Sequence, residues 1–467
     1  MRPIHLMGAL TLAAALGLAA TPASAQSWSS PATYTLPDID LGDFMFSTAG
    51  AAANDHGVKL GGIGSDLWRG PGDAPGVYWM ITDRGPNADA TPSGKTFPVY
   101  QFTPTILKVR TSNGAIEILQ ALPITGLNDA TFGVTGLPNL LNLAEAPALN
   151  EPIYACDLSS LPVNPVTDNA ANPNGIDAEG LVRTDDGSFW VAEEYGPSLL
   201  KIDPNGRVVK RYFPTELLNY FPLGTPTGYA ADDSTRSFPK IFGLKRKLNR
   251  GFEGLTISPD QKTLYIALQS PLNNPGSSVG NKARNTRILA FDIGREQVVA
   301  EYVYRFQPAG EFANVEFDHP TNGNRARDMK VSALVMLDQR RMLVLERTDF
   351  VAKVYLVDLK TATNILGSKW DDVATFPTLE ALESDSAVVN EGIVALPKTL
   401  VATFDASQGA PQKIEGLTVL NGDTLAIAND NDFGVGGFTG SGSECALTSD
   451  NGFESQIRVI QLPSSIK

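Results

Sequence analysis

A short pattern recurs five times along this 467-residue chain, and this repeat limits the choice of folds more than any other feature. Each copy pairs two strand-like runs that carry polar residues at one end. In the clearest copy, D-A-E-G-L-V at residues 177–182 precedes F-W-V-A-E-E-Y-G at residues 189–196, across a D-D-G turn. The last three intervals between copies are 75, 78 and 83 residues, which is typical of a repeat architecture. The second runs begin at Tyr78, Phe189, Leu264, Met342 and Leu425.

Each copy continues into further strand-like segments, so the repeat predicts an all-β fold. Alternating β-branched and aromatic runs between Gly, Pro, Asn and Asp turns predict strands joined by hairpins, and no segment shows a long helical period. We expect a single β-propeller of about five four-stranded blades, with a sixth blade left open as an alternative. The N-terminal segment 32–37 is expected to supply the missing last strand and close the ring. Residues 125–173 and 215–248 fit no blade and are predicted to be loop insertions over one face.

The first 25 residues have the features of a secretory signal. Arg2 precedes an apolar run at residues 6–20, and the small residues 23–25 predict cleavage before Gln26. The apolar run is too short to span a bilayer. We therefore predict a signal peptide at 1–25 and one propeller domain at 26–467, exported to the periplasm or the cell exterior.

The charge balance of the chain limits its partners. Because one basic residue leaves with the signal, the mature chain has 36 basic and 51 acidic residues. This acidic excess predicts no nucleic-acid partner and disfavours binding to anionic membranes. No later segment is apolar enough to cross a bilayer, so we expect no membrane insertion. We also expect a monomer.

The polar ends of the repeated runs are the candidate functional residues. In a propeller the first strand of each blade follows the central channel and the second returns beside it, so both polar ends lie at one mouth. The alternative is a purely structural ring of salt bridges, which the differences between the second runs disfavour. The converging side chains are Ser65, Asp66, Asp83, Arg84, Asp177, Glu179, Glu193, Glu194, Arg250, Glu253, Gln269, Lys330, Glu346, Arg347, Lys413, Glu415, Asn429, Asp430 and Asp432.

These residue types indicate a hard metal ion. Carboxylate and amide oxygens are the ligands of Ca²⁺, with Mg²⁺ or Mn²⁺ as alternatives. The mature chain has only His56 and His319, too few for a His-rich zinc centre, and it has no G-x-S-x-G elbow. The predicted metal ligands are Glu179, Glu193, Glu253, Glu415 and Asp430. The predicted catalytic residues are Asp83, Arg84, Glu194 and Arg347, and the predicted substrate-binding residues are Arg250, Lys330 and Lys413.

Four stretches resemble those of a known family, the bacterial proteins with a phytase-like domain. The description of this family is esterase-like activity of phytase. The four stretches are residues 61–89, 177–197, 251–256 and 413–418, and D-R-G-P-N and E-E-Y-G-P are their most specific parts. The resemblance spans nearly the whole mature chain and implies hydrolysis of phosphoesters or esters by a β-propeller. Calcium-dependent propeller phytases also place acidic ligands at the channel mouth, but no residue roles are transferred from them.

The residues and the resemblance together predict a secreted metal-dependent hydrolase of phosphoesters, similar to phytases, phosphatases or phosphodiesterases. Its substrate would be a small anionic phosphoester. Two alternatives stay open. A carboxylester or lactone hydrolase of gluconolactonase type would use a Glu, Asn and Asp cage around one divalent ion. A non-catalytic propeller would bind a polyanion or a protein at the same mouth.

Two cysteines remain after the signal is removed. Cys156 lies in the first insertion, and Cys445 lies in the long loop of the last copy. Export permits a disulfide between them that would pin a cap over the mouth, and two separate thiols are the alternative.

Overall fold

The computed structural model describes residues 28–49, 54–89, 95–126, 133–139, 153–155, 172, 174–214, 216–217, 238–312, 326–439 and 446–466. The predicted signal peptide, Cys156, Cys445 and His319 lie outside these residues. The signal and the disulfide therefore stay predictions.

The described residues are mostly strands, with a few short helices. The first twelve strands are β1 (Ser29–Thr35), β2 (Asp66–Trp68), β3 (Val77–Ile81), β4 (Ala88–Asp89), β5 (Lys95–Phe97), β6 (Thr105–Ser112), β7 (Ala115–Pro123), β8 (Ile153–Ala155), β9 (Ala178–Arg183), β10 (Phe189–Glu193), β11 (Ser198–Ile202) and β12 (Val208–Tyr212). The others are β13 (Phe252–Ile257), β14 (Thr263–Leu268), β15 (Asn285–Asp292), β16 (Gln297–Arg305), β17 (Lys330–Met336), β18 (Arg341–Arg347), β19 (Val351–Asp358), β20 (Lys398–Asp405), β21 (Ile414–Val419), β22 (Thr424–Asn429), β23 (Val435–Thr439), β24 (Ala446–Asp450) and β25 (Gln456–Gln461). The helices are α1 (Leu41–Ala49), α2 (Ile241–Lys245), α3 (Ser277–Gly280) and α4 (Asp385–Asn390).

Twenty of the 25 strands in the described part of the chain form five groups of four. In hydrogen-bonding order these are β2-β3-β6-β7, β9-β10-β11-β12, β13-β14-β15-β16, β17-β18-β19-β20 and β21-β22-β25-β1. The first strand of each group lies against the first strand of the next: β9 against β13, β13 against β17, β17 against β21, β21 against β2, and β2 against β9. This cyclic order is the arrangement of a propeller, so the prediction of an all-β, propeller-type fold is confirmed.

The first and last described strands, β1 and β25, meet in the last group. Strand β1 pairs antiparallel with β25, from Ser29 opposite Gln461 to Thr35 opposite Gln456. Its other edge reaches β7 of the first group, with Thr35 opposite Ala115. The strand begins three residues before the expected segment and ends before Pro37, which has no N–H to continue the ladder.

The Gly of the E-G-L pattern allows neighbouring groups to approach closely. A Cβ atom on Gly180 would lie 2.3 Å from the carbonyl oxygen of Glu253, which belongs to the next group. A Cβ on Gly416 would lie 2.8 Å from the Cβ of Leu67, again in the adjacent group. In the E-G-L pattern, the Glu therefore supplies a polar side chain, the Gly allows neighbouring first strands to approach closely, and the Leu packs in the core.

Large aromatic side chains fill the space between the groups farther from the channel. The rings of Trp79 and Phe189, from the first two groups, meet edge to face with their centroids 5.1 Å apart. Trp190 and Phe291 connect the second and third groups, with centroids 5.9 Å apart. Strands buried on both faces explain why several runs read as continuously apolar.

One insertion differs from expectation. Residues 359–397, between β19 and β20, form short turns and α4 instead of continuing directly into a strand. They pack on the third group, where Asn285 donates to the carbonyl oxygen of Leu379 at 2.8 Å and Arg287 pairs with Glu380 at 2.5 Å. The sequence analysis missed this insertion because its turns carry no strand alternation.

Candidate functional site

A cavity of about 440 Å³ lies where the polar ends of the five groups converge. Strands β4 and β23, outside the five groups, contribute to its rim. In this part of the structure, the charged residues that line the cavity are eight acidic and four basic. The lining residues are Asp83, Arg84, Asn87, Ala88, Asp89, Lys95, Asp177, Glu179, Glu194, Asn249, Gln269, Lys330, Lys413, Glu415, Asp430, Asp432, Val435, Gly436, Gly437 and Phe438.

A β-bulge in the first strand turns the repeated polar residue towards the channel. In the second group, Ala192 pairs with Gly180 and Glu193 pairs with Ala178, so Glu179 has no direct partner across the ladder. The pairing of β13, β17 and β21 shifts in the same way around Glu253, Ser332 and Glu415. Bulges re-aim side chains, so this irregularity directs Glu179 and Glu415 into the cavity lining. It places Glu253 and Ser332 in a hydrogen-bond chain beneath the cavity.

The first acidic cluster consists of Asp177, Glu179 and Glu194. One carboxylate oxygen from each lies within 4.8 Å of the others, and the side chains are only 1%, 9% and 1% exposed. Burial raises the pKa of both Glu179 and Glu194 well above the usual range, and the nearby carboxylate of Glu253 raises both further. The Oε1 atom of Glu194 is buried and has no hydrogen-bond partner among the described residues. This cluster could hold a metal ion.

The second acidic cluster consists of Asp83, Asp430 and Asp432, which follow β3 and β22. Their carboxylate oxygens also lie within 4.8 Å of one another. Burial raises the pKa of Asp83 well above its usual value, and the charge of Asp430 adds to this shift. Burial also opposes ionisation of Asp432, but its ion pair with Lys413 outweighs burial and holds the pKa of Asp432 below the usual value.

The basic residues of the cavity lie against carboxylates. Arg84 Nη1 is 3.5 Å from Asp177 Oδ2, and the Arg84 backbone N–H donates to Asp177 Oδ1 at 3.1 Å. The Arg84 guanidinium also donates to Asn249 Oδ1 at 2.6 Å. Lys330 Nζ lies 3.5 Å from Asp349 Oδ1. Both of these cations therefore lie beside a carboxylate.

A buried hydrogen-bond chain lies beneath the cavity. Arg347 forms an ion pair with Glu415, and its Nε donates to Ser332 Oγ at 2.9 Å. Ser332 donates to Glu253 Oε1 at 3.2 Å, and Gln269 Nε2 donates to Glu253 Oε2 at 2.6 Å. Burial raises the pKa of Glu253 to about 8. Glu253 and Arg347 are thus near the candidate site but are not among the residues that line it.

The structure does not bring Glu193 together with the other predicted metal ligands. Its carboxylate accepts hydrogen bonds from Asn139 Nδ2 at 3.1 Å, Tyr195 N at 2.8 Å and Ser198 Oγ at 2.8 Å. Arg211 Nη2 lies 3.1 Å from its Oε2 in a fully buried ion pair. Successive side chains of a strand point to opposite faces, so Glu193 faces the interior of its group while Glu194 faces the cavity.

Three other converging residues also have structural partners instead of a place in the cavity lining. Asp66 accepts hydrogen bonds from the backbone N–H groups of Leu67 and Leu181, at 2.7 and 2.8 Å. Glu346 accepts from Tyr304 and Lys398, and Asn429 binds backbone atoms of Glu454 and Gln456.

Arg250 also lies outside the cavity lining. Burial lowers its pKa, and the carboxylates of Glu194 and Glu253 oppose that shift, which places its guanidinium near both.

The sequence analysis missed several residues that line the cavity. Asn87 and Asp89 belong to the stretch D-R-G-P-N-A-D, which was recognised without a role for these two positions. Asn249 directly precedes Arg250, so its position next to a repeated tip was a usable signal. Lys95 and the β23 residues come from strands outside the repeat, and no periodic pattern indicates them.

The fold and the acidic cavity define an all-β, propeller-type protein with a polar site at one mouth of its channel. The chain belongs to the phytase-like family, described by the esterase-like activity of phytase, and the match covers residues 58–433. The resemblance identified from the sequence is therefore confirmed.

One curated relative is an Arthroderma benhamiae protein named "Uncharacterized secreted protein". It is 29% identical over 274 residues, which cover 52% of this chain and 51% of that protein. The chain thus spans about half the length of this relative. Among the described residues, no helix has the length and apolar character needed to cross a bilayer.

Solved structures with similar strand arrangements share little sequence with this chain. A luciferin-regenerating enzyme is 9% identical, with a TM-score of 0.33, and the match covers 88% of this chain and 83% of that one. A Bacteroides vulgatus protein of the DUF4221 family is 9% identical, with a TM-score of 0.32 and coverages of 94% and 99%. The periplasmic gluconolactonase of Pseudomonas aeruginosa is 12% identical, with a TM-score of 0.27 and coverages of 88% and 90%.

Proposed function

We propose that this chain is an exported, metal-dependent hydrolase of small phosphoesters that acts at the cavity. The observation that carries the proposal is the pair of buried carboxylate clusters in one cavity with Arg84, Lys330 and Lys413. The family description, esterase-like activity of phytase, supports ester hydrolysis as the reaction class.

The residues present fit a hard divalent cation. Three buried carboxylates face one another in the first cluster, and Glu194 Oε1 lacks a hydrogen-bond donor in the part of the chain that is described. An all-oxygen donor set suits Ca²⁺, and also Mg²⁺ or Mn²⁺. Asp177, Glu179 and Glu194 would hold one cation, and the second cluster with Asp430 is a further candidate. When bound, such an ion draws in phosphate oxygens and lowers the pKa of a water molecule.

The chain's own residues would bind the substrate and move protons. Asn249 and Asp177 hold Arg84 in place. Lys330 and Lys413 lie on other strand groups, so the three basic residues would face an anion from different sides. Their charges would stabilise negative charge that develops on the phosphoryl oxygens.

A carboxyl group outside the first cluster suits proton transfer. Burial raises the pKa of Asp83 well above its usual value, which favours the protonated form that a general acid requires. Arg347 and Arg250 would act from behind the residues that line the cavity. Arg347 would do so by holding its ion-pair partner Glu415 in place.

The composition of the cavity lining bears on how an anion can bind. Acidic lining residues outnumber basic ones by eight to four, and Arg84, Lys330 and Lys413 each lie beside a carboxylate that partly neutralises them. Phosphate binding should therefore depend on the metal ion, and the basic residues alone should not suffice.

The first prediction tests the activity. The purified mature chain should contain a divalent metal ion and hydrolyse p-nitrophenyl phosphate, bis(p-nitrophenyl) phosphate or phytate, with loss of turnover after chelation. Glu194→Gln should lower kcat/KM by about 100-fold or more, because it removes a carboxylate from the first cluster.

A matched control is Glu117→Gln, an exposed position on β7, which should retain wild-type kinetics. Turnover that persists unchanged in the presence of chelator would contradict the metal-dependent mechanism.

One observation favours a second candidate, hydrolysis of an uncharged lactone or carboxylester. The excess of acidic residues disfavours an anionic substrate but not a neutral one. Lys330→Met separates the two, because it should reduce phosphoester turnover and leave lactone turnover unchanged. A third candidate, non-catalytic binding of a polyanion or protein, would show no turnover with any metal ion.

The remaining features of the proposal concern the whole protein. We propose that the five strand groups form the complete ring, which the closed cycle of first strands supports. Export after removal of residues 1–25 is supported by the sequence features of the signal and agrees with the name of the curated relative. Ca²⁺ is the proposed metal, and a monomer is the proposed state.

A further inference from the structure

Gln269, in the third group, has a buried amide oxygen without a partner. It follows β14 directly, lines the cavity and is 5% exposed. Its Oε1 atom is buried and accepts no hydrogen bond from any described residue. Glu194, in the neighbouring group, has the same kind of orphaned acceptor at Oε1. Two buried acceptors that lack donors in one cavity indicate a cationic ligand.

The hydrogen-bond chain beneath the cavity determines which way the Gln269 amide faces. The Arg347 guanidinium has donors only, so Ser332 Oγ must accept from it and donate its own proton to Glu253. In its ionised form Glu253 accepts at both oxygens, from Ser332 and from the NH₂ group of Gln269. The amide oxygen of Gln269 is therefore the end that Glu253 does not hold.

We propose that Gln269 Oε1 is a neutral ligand for the cation held by Asp177, Glu179 and Glu194, and that Glu253 is a positioning residue that fixes the Gln269 amide. This inference rests on the proposed metal-dependent function and deepens it. It moves Glu253 from the predicted set of direct ligands to a supporting position. The groups therefore contribute unequally: the second supplies carboxylates, and the third supplies an amide oxygen.

The arrangement predicts a specific response to Glu253→Gln. The new amide must still accept from Ser332, so its NH₂ group turns to residue 269. Gln269 then accepts that hydrogen bond with its oxygen and presents its own NH₂ group to the cavity, where it repels a cation. Residues that orient metal ligands typically change metal affinity by about 10- to 100-fold, and we expect a loss of that size.

The test is a calorimetric titration of Ca²⁺ into the metal-free mature chain and its variants. Glu253→Gln and Gln269→Leu should each weaken Ca²⁺ binding by about 10- to 100-fold. The double variant that combines Glu253→Gln with Gln269→Glu should recover affinity to within about threefold of wild type. In the double variant, one carboxylate oxygen of residue 269 accepts a hydrogen bond from the amide NH₂ group of residue 253. The other oxygen of residue 269 stays an acceptor for the cation, and the total charge equals that of the wild type.

Controls separate this inference from damage to the fold. Gln120→Leu, at an exposed position on β7, should bind Ca²⁺ as the wild type does. Each variant should still unfold cooperatively in urea, and recovery of Ca²⁺ affinity in the double variant excludes misfolding as the cause of the single-variant loss.

The outcomes also distinguish the inference from the proposed function. If Gln269→Leu and the wild type bind Ca²⁺ equally, the ligand assignment is wrong although the hydrolase proposal stands. Arg250, whose buried Nη1 also lacks a described partner, would then be the cation that satisfies these oxygens. If Ca²⁺ binding follows the predicted order but no substrate turns over, the inference stands and the hydrolase proposal fails. Absence of Ca²⁺ binding in the wild type overturns the inference.

Discussion

Glu193 and Glu194 are neighbours in the chain with opposite surroundings. Glu193 has a complete set of donors, including the buried guanidinium of Arg211. Glu194 is equally buried, but one of its oxygens has no donor in the described structure. Burial and charge alone therefore do not identify a functional carboxylate. The structural residue Glu193 differs from the candidate ligand Glu194 because Glu194 has an oxygen without a hydrogen-bond donor among the described residues.

Glu193→Gln should destabilise the fold more than it affects the cavity directly. The substitution breaks the buried ion pair with Arg211, and the loss of one partner of such a pair costs about 3–5 kcal/mol. Urea unfolding of the metal-free protein measures this loss. Glu117→Gln, which disturbs an exposed pair with Arg110, should change the free energy of unfolding by less than about 1 kcal/mol. Similar losses in the free energy of unfolding for the two variants would show that the buried ion pair stabilises the fold no more than the exposed pair does.

At the scale of elements, the junction between first strands combines the bulge, the close-packed glycine and direct hydrogen bonds between groups. Asp66 of β2 accepts from Leu181 N of β9 and thereby connects the first two groups. Burial raises the pKa of Asp66 to about 8, although the two backbone N–H groups oppose this shift. The junction is thus sensitive to pH.

The stability of metal-free protein should fall as pH rises because of Asp66. In the unfolded chain its pKa is near about 4, so between pH 4 and about 8 the folded state binds more protons than the unfolded state. The free energy of unfolding therefore decreases with increasing pH across that window. Relative to Asp66→Asn, which is neutral at every pH, the wild type should lose stability from pH 4 to pH 8.

Urea unfolding of both proteins at several pH values in chelator measures this difference. Asp185→Asn, at an exposed turn, is the control and should follow the wild-type curve. Parallel curves for the wild type and Asp66→Asn would rule out the assigned pKa shift.

The sequence predicted the elements better than the directions of their side chains. The repeat indicated the strands, the polar ends and their convergence, because these depend on periodicity and on propeller topology. The direction of the Glu179 and Glu253 side chains depends on a β-bulge, where two residues of one strand lie opposite a single residue of its neighbour. The alternation of residues along a strand does not reveal the position of a bulge. The burial of Glu193 depends on Arg211, a partner 18 positions away on another strand. These contacts are set by three-dimensional packing and leave no mark in the repeat.

At the scale of the whole molecule, strand β1 joins the last group to the first. It pairs with β25 along its length, and Trp28 just before it donates from Nε1 to the carbonyl oxygen of Thr403 at 2.8 Å. The Trp28 ring also packs on Phe404, with centroids 5.3 Å apart. The ring is therefore held together at this junction by non-covalent contacts between the two ends of the chain.

Removal of this strand should open the ring. A chain that begins at Asp38 loses the pairing with β25 and the Trp28 contacts, whereas a chain that begins at Trp28 keeps them. Each lost hydrogen bond contributes about 1 kcal/mol net, so we expect a decrease of at least about 3 kcal/mol in the free energy of unfolding. Thermal unfolding of the two chains provides the measurement. Equal midpoints would show that the ring does not depend on β1.

The pairing of β1 with β25 also determines when folding can finish. Residues 29–35 of the first described strand cannot pair until residues 456–461 of the last described strand are available. Contacts this distant in sequence form slowly, because a long loop has to close before they provide any stabilisation. The last strand group stays incomplete until residues 456–461 are available, so most of the described polypeptide has to be synthesised before this group can form.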